Sequence, residues 1–109
     1  MSMGGVLVLA GGGHSHALLL RRWAMQPNRR PQHSIVLVNR TSTALYSGMV
    51  PGLIAGIYKR NELAIDLRQL CERAGVAFIE AEITGVNPHQ KWLSLESRPS
   101  LHFDLLSLD

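Results

Sequence analysis

The sequence predicts an α/β domain, a short parallel sheet with an antiparallel meander, and three observations carry that prediction. Val6 to Leu9 form an apolar run that leads into Gly11, Gly12 and Gly13, and a mostly apolar helical stretch from Ala17 to Trp23 follows. Two more short apolar runs, Ser34 to Val38 and Val76 to Ile79, recur after helix- or loop-like segments. From Glu80 onward the pattern changes to alternation, with Ile83 and Val86 before a polar turn and Trp92 to Leu95 after it. Buried parallel strands read as continuous apolar runs, whereas half-exposed antiparallel strands alternate.

The first of these stretches organises the rest. Glycines after a buried strand let the backbone approach a ligand with no Cβ in the way. The helix that follows points its first N–H groups back at the turn, and those groups with the helix dipole favour an anion. Strand, glycine turn and helix together make the phosphate-binding corner of a Rossmann-like unit, with a bare structural turn as the competing reading. Gly11-x-Gly13 supplies the first two glycines of the pattern, but His16 holds the third position. The third glycine normally allows close helix–strand packing. His16 therefore implies a wider crossing or a side chain turned to the ligand.

Taken in order, the first helix should end near Met25, because Pro27 cannot continue it. Asn28 to His33 is a polar, proline-broken loop. The second strand, Ser34 to Val38, ends at Asn39-Arg40, where this type of unit often carries an acid that bonds a ribose hydroxyl. Asn39 is an amide that can still bond a hydroxyl, and Arg40 can meet a phosphate or be solvated. Thr41 to Tyr58 is glycine-rich, apolar and broken by Pro51, which predicts an ordered loop with short helical turns, a wall for a flat ring or a flap on further structure. Leu63, Leu67, Leu70, Cys71 and Ala74 share one face at helical spacing, with an Asp66–Gln69 capping box and Gly75 as the stop. A hairpin or meander follows, turning at Asn87 to Gln90, and Phe103 to Leu108 is the last strand. Right-handed crossovers then give a sheet order of third, second, first and last strand.

Length and composition narrow the function. The chain has 109 residues, enough for one modest core, and its apolar and charged fractions of 46% and 17% describe a globular protein. Its formal charge of +3 is spread over scattered pairs with no interleaved aromatics, which argues against nucleic acid. Cys71 is the only cysteine, so no internal disulfide or cysteine-rich metal site can form. The start MSMGG lacks a basic region before its apolar run, and that run is too short to span a bilayer, so no transmembrane segment is expected and the default compartment is cytoplasmic.

The cluster His14-Ser15-His16 invites other chemistry. Two imidazoles at this spacing can share a metal, but a catalytic zinc needs three protein ligands and no partner motif is near, so no metal is expected. A nucleophilic Ser15 would need an oriented base, and no acid is there to orient one, so a cap or phosphate contact suits it better. The two histidines either sit beside the ligand or pack between helix and loop. His33, His89 and His102 read as surface residues, and Trp23 and Trp92 as core or subunit contacts.

With these pieces in order, the chain resembles the flavin-binding front end of the pyridine nucleotide–disulfide oxidoreductase superfamily. Within it, the chain is most similar to type II NADH dehydrogenase-like proteins, including those fused to selenide, water dikinase. The resemblance rests on LVLAGGGHSHALLLRR, LYSGMVPGLIAGIY, IDLRQLCERAGVAFIEAEITGVNP and HFDLLSLD. It implies an FAD/NAD(P)-binding domain in which Gly11, Gly13 and the helix start at Ser15 hold the FAD pyrophosphate, with Gly12, His14 and His16 as further cofactor-binding candidates in the same stretch. Asn39, with Arg40 beside it, would face the adenosine ribose through its own side chain, Tyr46, Ser47, Gly48 and Met49 would lie against the isoalloxazine, and the backbone at Ile83 near adenine. The last strand would run into a second flavin-contacting glycine turn beyond Asp109. Three departures stand out: His16 for glycine, Asn39 for an acid, and no region for NAD(P)H after residue 109, so the chain is expected to be an incomplete, truncated domain. A lone cysteine also argues against dithiol chemistry.

Two functional readings follow. In the first, the chain is the FAD-binding portion of an NAD(P)H-dependent flavoprotein oxidoreductase, inactive by itself and membrane-peripheral or cytoplasmic as a whole protein. In the second, it is a non-catalytic nucleotide-binding or sensing module. Truncation also predicts apolar surface on the last strand and on Tyr46 to Tyr58, through which a homo-oligomer could form.

Overall fold

The structure is a computed structural model that describes residues 5–47 and 62–109, with the backbone alone described at 45–47 and 62–63. Its centre is a four-stranded parallel sheet of β1 (Val6–Ala10), β2 (Ser34–Asn39), β5 (Ala77–Glu80) and β9 (Leu105–Leu108), ordered β5-β2-β1-β9. This is the predicted α/β, Rossmann-like arrangement with the predicted strand order. In register, Val8 of β1 lies opposite Val36 of β2 and Leu106 of β9, and Val38 lies opposite Ile79 of β5.

Successive side chains of a strand point to opposite faces, and here each face has its own cover. Leu9, Ile35 and Leu37 join Leu20 and Trp23 of α1 (His14–Met25) and Leu67, Cys71 and Ala74 of α2 (Leu67–Ala74) in one core. Val8 and Val38 on the other face join Leu93, Leu95 and Phe103 in a second core. That second core is roofed by an antiparallel meander of β6 (Ile83–Asn87), β7 (Trp92–Leu95) and β8 (Arg98–His102). The sheet is therefore sandwiched between two helices and a second sheet. Continuous apolar runs are what a strand buried on both sides requires.

Local signals set most boundaries. Gln26 closes α1 with its N–H on the Arg22 carbonyl, and Pro27 opens a short 3-10 turn. Asp66 caps α2 by accepting the Gln69 N–H at 3.0 Å, and Gly75 stops it in the left-handed region at φ 71°. Arg30 braces that stop, donating to the Gly75 carbonyl at 2.9 Å and to the Pro31 and His33 carbonyls. The meander turns on Asn87, whose Oδ1 accepts the His89 and Gln90 N–H groups.

The structure corrects several expectations. Thr43–Ser47 is a strand, β3, paired antiparallel with β4 (Glu62–Asp66), where a loop was expected. Leu63 belongs to β4 and lies outside the helix, because Asp66 takes the extended conformation of a cap and the helix can start only after it. The last strand begins at Leu105, since β8 fills the approach and Asp104 makes the corner, its Oδ2 accepting the Val6 N–H at 2.7 Å. Trp23 is buried, but Trp92 is exposed and meets His102 edge-on at 5.3 Å. His33, expected at the surface, is half-buried. Leu105 and Leu108 of β9 are exposed. The expected apolar stretch from Gly48 to Tyr58, with Gly48 and Met49, lies outside the described residues.

Candidate functional site

The carboxyl ends of the parallel strands converge on the glycine turn, and ligands of open α/β sheets bind at such an edge. β1 ends at Ala10, and Gly11 follows at φ +97°, a conformation L side chains rarely adopt. The Gly11 N–H reaches across to the Val38 carbonyl at 2.8 Å, and the Gly12 N–H to Asn39 Oδ1 at 2.9 Å. Gly13 is the N-cap of α1, and its carbonyl receives the Ala17 N–H at 3.0 Å.

Asn39 has its amide engaged on both ends. Oδ1 holds Gly12, while Nδ2 donates to the Thr41 carbonyl at 2.9 Å and approaches Thr41 Oγ1 at 3.3 Å. The amide therefore fastens the end of β2 to the middle of the glycine turn. Arg40 beside it is exposed. On the far side, the Asn39 carbonyl accepts the Ala81 N–H at 2.9 Å, which brings the chain leading to Ile83 to the same sheet edge. Ile83 itself is half-buried and packs against the meander-side core.

His16 is the sharpest departure from a three-glycine pattern, and it is 2% exposed. Its Nδ1 lies 2.7 Å from the Gly11 carbonyl and its Nε2 2.8 Å from Ser107 Oγ. A carbonyl only accepts, so Nδ1 carries a proton, and in the neutral ring Nε2 accepts from the serine hydroxyl. The ring thus bridges the glycine turn to β9, with both nitrogens used inside the protein. His14 and Ser15, in the exposed first turn of α1, flank it.

The helix start faces an anion. The His16 N–H donates to Asp109 Oδ2 at 2.7 Å, while the Asp109 N–H holds the Ala10 carbonyl at 3.1 Å. The contacts of Ser107, Asp109 and Thr41 have no signature in the sequence. The one signal for an acid was negative: α1 has a side-chain-less N-cap and no acid in its first turn. Nothing local names the residue that supplies it.

Among the described residues no group of three His, Cys, Asp or Glu side chains could hold a metal ion. Cys71 is buried in the helix-side core, and loss of water pushes its thiol up to about 12, which makes it inert at neutral pH. An open depression of about 400 Å³ lies toward the other end of α1, lined by Leu18, Arg21, Arg22, Met25, Gln26 and Arg29. No described helix is long and apolar enough to cross a membrane. Of the expected ring contacts, Tyr46 and Ser47 have their backbone in β3, opposite Leu63 and Glu62.

No family model matches the chain, and no curated protein matches it. Among solved structures, the chain is similar to the sulfide:quinone oxidoreductase from the hyperthermophilic bacterium Aquifex aeolicus, at 18% identity and a TM-score of 0.65. The match covers 96% of this chain and 24% of that one, so the chain spans about a quarter of the neighbour's length. A likeness at this identity establishes the fold.

Proposed function

We propose that the chain is the FAD-binding portion of an NAD(P)H-dependent flavoprotein oxidoreductase. One observation carries the reading: a strand, a glycine turn and a helix start meet at the carboxyl edge of a parallel sheet, and the helix start already holds an anionic oxygen at the His16 N–H. A site that accepts a carboxylate oxygen there suits a phosphate oxygen by the same chemistry. The fold shared with a structure described as an oxidoreductase supports the reading further.

In this account Gly11, Gly12, Gly13, His14 and Ser15 surround the pyrophosphate. His16 keeps the turn fixed to β9 through Gly11 and Ser107. Asn39 positions Gly12 at the ribose end, where the exposed Arg40 supplies a charged contact. Tyr46, Ser47, Gly48 and Met49 are assigned to the ring and the backbone near Ile83 to adenine. When bound, FAD would supply hydride acceptance from NAD(P)H and electron delivery to a further acceptor. The 109 residues provide cofactor binding and are not expected to turn over by themselves, because one glycine corner is present among the described residues and the donor nucleotide needs another. A cytoplasmic or membrane-peripheral setting goes with this assignment.

The test is the visible spectrum of the purified protein together with thermal shift against FAD, ADP and NAD. A flavin band, or stabilisation by FAD that grows with its concentration, supports the assignment. Stabilisation by ADP or NAD without any response to FAD would replace it with a nucleotide-binding module. Silence to all three contradicts a dinucleotide corner.

A further inference from the structure

The anion at the start of α1 belongs to the protein itself. Gly13, the N-cap, has no side chain with which to satisfy the first turn, and no acid lies in that turn. Asp109, 93 residues beyond His16, fills the role by accepting the His16 N–H at 2.7 Å. Its side chain is mostly buried, and Oδ2 also lies 3.8 Å from His16 Nδ1. The carboxylate fits because Gly13 leaves room: a Cβ there would stand only 2.6–2.8 Å from its three atoms. The space beside Gly13, where a glycine corner receives a phosphate, therefore contains a fixed negative charge.

We propose that Asp109 is a specificity-determining residue of the corner, its carboxylate competing with the ligand's pyrophosphate for the start of α1. The inference rests on the dinucleotide reading above. Two anions cannot share one N–H, and like charges held close in a partly buried place repel. The resting corner is thus stabilised by its own carboxylate, which caps the helix and complements its dipole. A phosphate-bearing ligand enters by displacing Asp109. Because the Asp109 N–H is bonded to Ala10, entry is felt at the joint between β9 and β1. Affinity is set by the difference between two anions at one site, so the part of a ligand without phosphate is indifferent to Asp109.

Calorimetric titration of ADP and of adenosine into the protein and its Asp109→Asn variant tests this. Asparagine keeps the shape and a carbonyl acceptor for the His16 N–H while removing the charge. The expected result is ADP binding about tenfold tighter in the variant, with adenosine unchanged. If the parent protein binds ADP and the variant binds it no more tightly, competition is overturned while the dinucleotide corner stands. An equal gain for adenosine overturns it too, since the effect would not pass through phosphate. If neither protein binds ADP or FAD, the corner itself is wrong and the inference falls with it. A second measurement needs no variant: during ADP titration of the parent protein, the His16 amide and Asp109 carboxyl resonances should move together. A His16 amide that stays still while ADP binds overturns the proposal.

Discussion

Helix α2 takes its cap from Asp66, three residues before the Gln69 N–H that it accepts, whereas α1 starts at a bare glycine and takes its cap from Asp109, 93 residues away. The first is a closed arrangement: residues adjacent in sequence satisfy one another before any tertiary contact forms. The second holds only while β9 is paired with β1, and it leaves the helix start without a side chain of its own. A helix that only has to be stable is best served by a local cap. On the proposed reading, a helix start built on glycine and capped by a remote carboxylate exchanges that carboxylate for a ligand. On that reading, the contrast separates a structural helix end from one organised around a nucleotide site.

Leu67 is where the two ends meet, and its loss should have the largest effect. It is fully buried as the first residue of α2, and its Cδ1 lies so near Gly12 that a Cβ there would stand 2.6 Å away. Leu67→Ala should cost about 2–5 kcal/mol in urea unfolding. It should also loosen the glycine turn, so that amide exchange at Gly12 quickens more than exchange in β5. An effect confined to α2 would separate the two helix starts that the structure joins.

His16→Ala comes next. It leaves the Gly11 carbonyl and Ser107 hydroxyl without the ring that bridges them, and burial of unpaired groups should cost about 1–3 kcal/mol. Exchange protection should fall in β9 and in the first turn of α1, and not in α2. Asp66→Ala should have the smallest effect, about 1 kcal/mol, with nucleotide affinity unchanged. If Asp66→Ala altered ADP affinity as Asp109→Asn is expected to, the division between a structural cap and a site cap would be lost.

What the sequence disclosed follows the same division. The order of the parallel sheet was legible because Val6 to Leu9, Ser34 to Val38 and Val76 to Ile79 are apolar on both faces, as the two cores require. The α2 cap was legible because Asp66 and Gln69 are close in sequence, although apolar spacing from Leu63 pulled the helix start too early. β3 was hidden because its partner β4 lies across residues 48–61, and a strand whose partner is distant shows no turn signal. β8 was hidden because Arg98–His102 is mostly polar and exposed, with Leu101 alone packed inward. At the site, the glycine turn could be read from its residues, but the duties of Asn39, Ser107 and Asp109 could not. Each is a contact made by the fold across many residues, and side-chain type alone does not reveal which backbone group an amide or carboxylate will meet.

The most direct test of the central claim, that the glycine corner is the nucleotide site, is an amide-resolved NMR titration of the protein with FAD. The account predicts shifts concentrated at Gly11 to His16 and at Asn39 and Arg40, with β9 responding near Asp109. Shifts centred instead on Arg21, Arg22 and Arg29 would place the ligand in the depression at the other end of α1 and contradict it, as would a spectrum that FAD leaves unchanged.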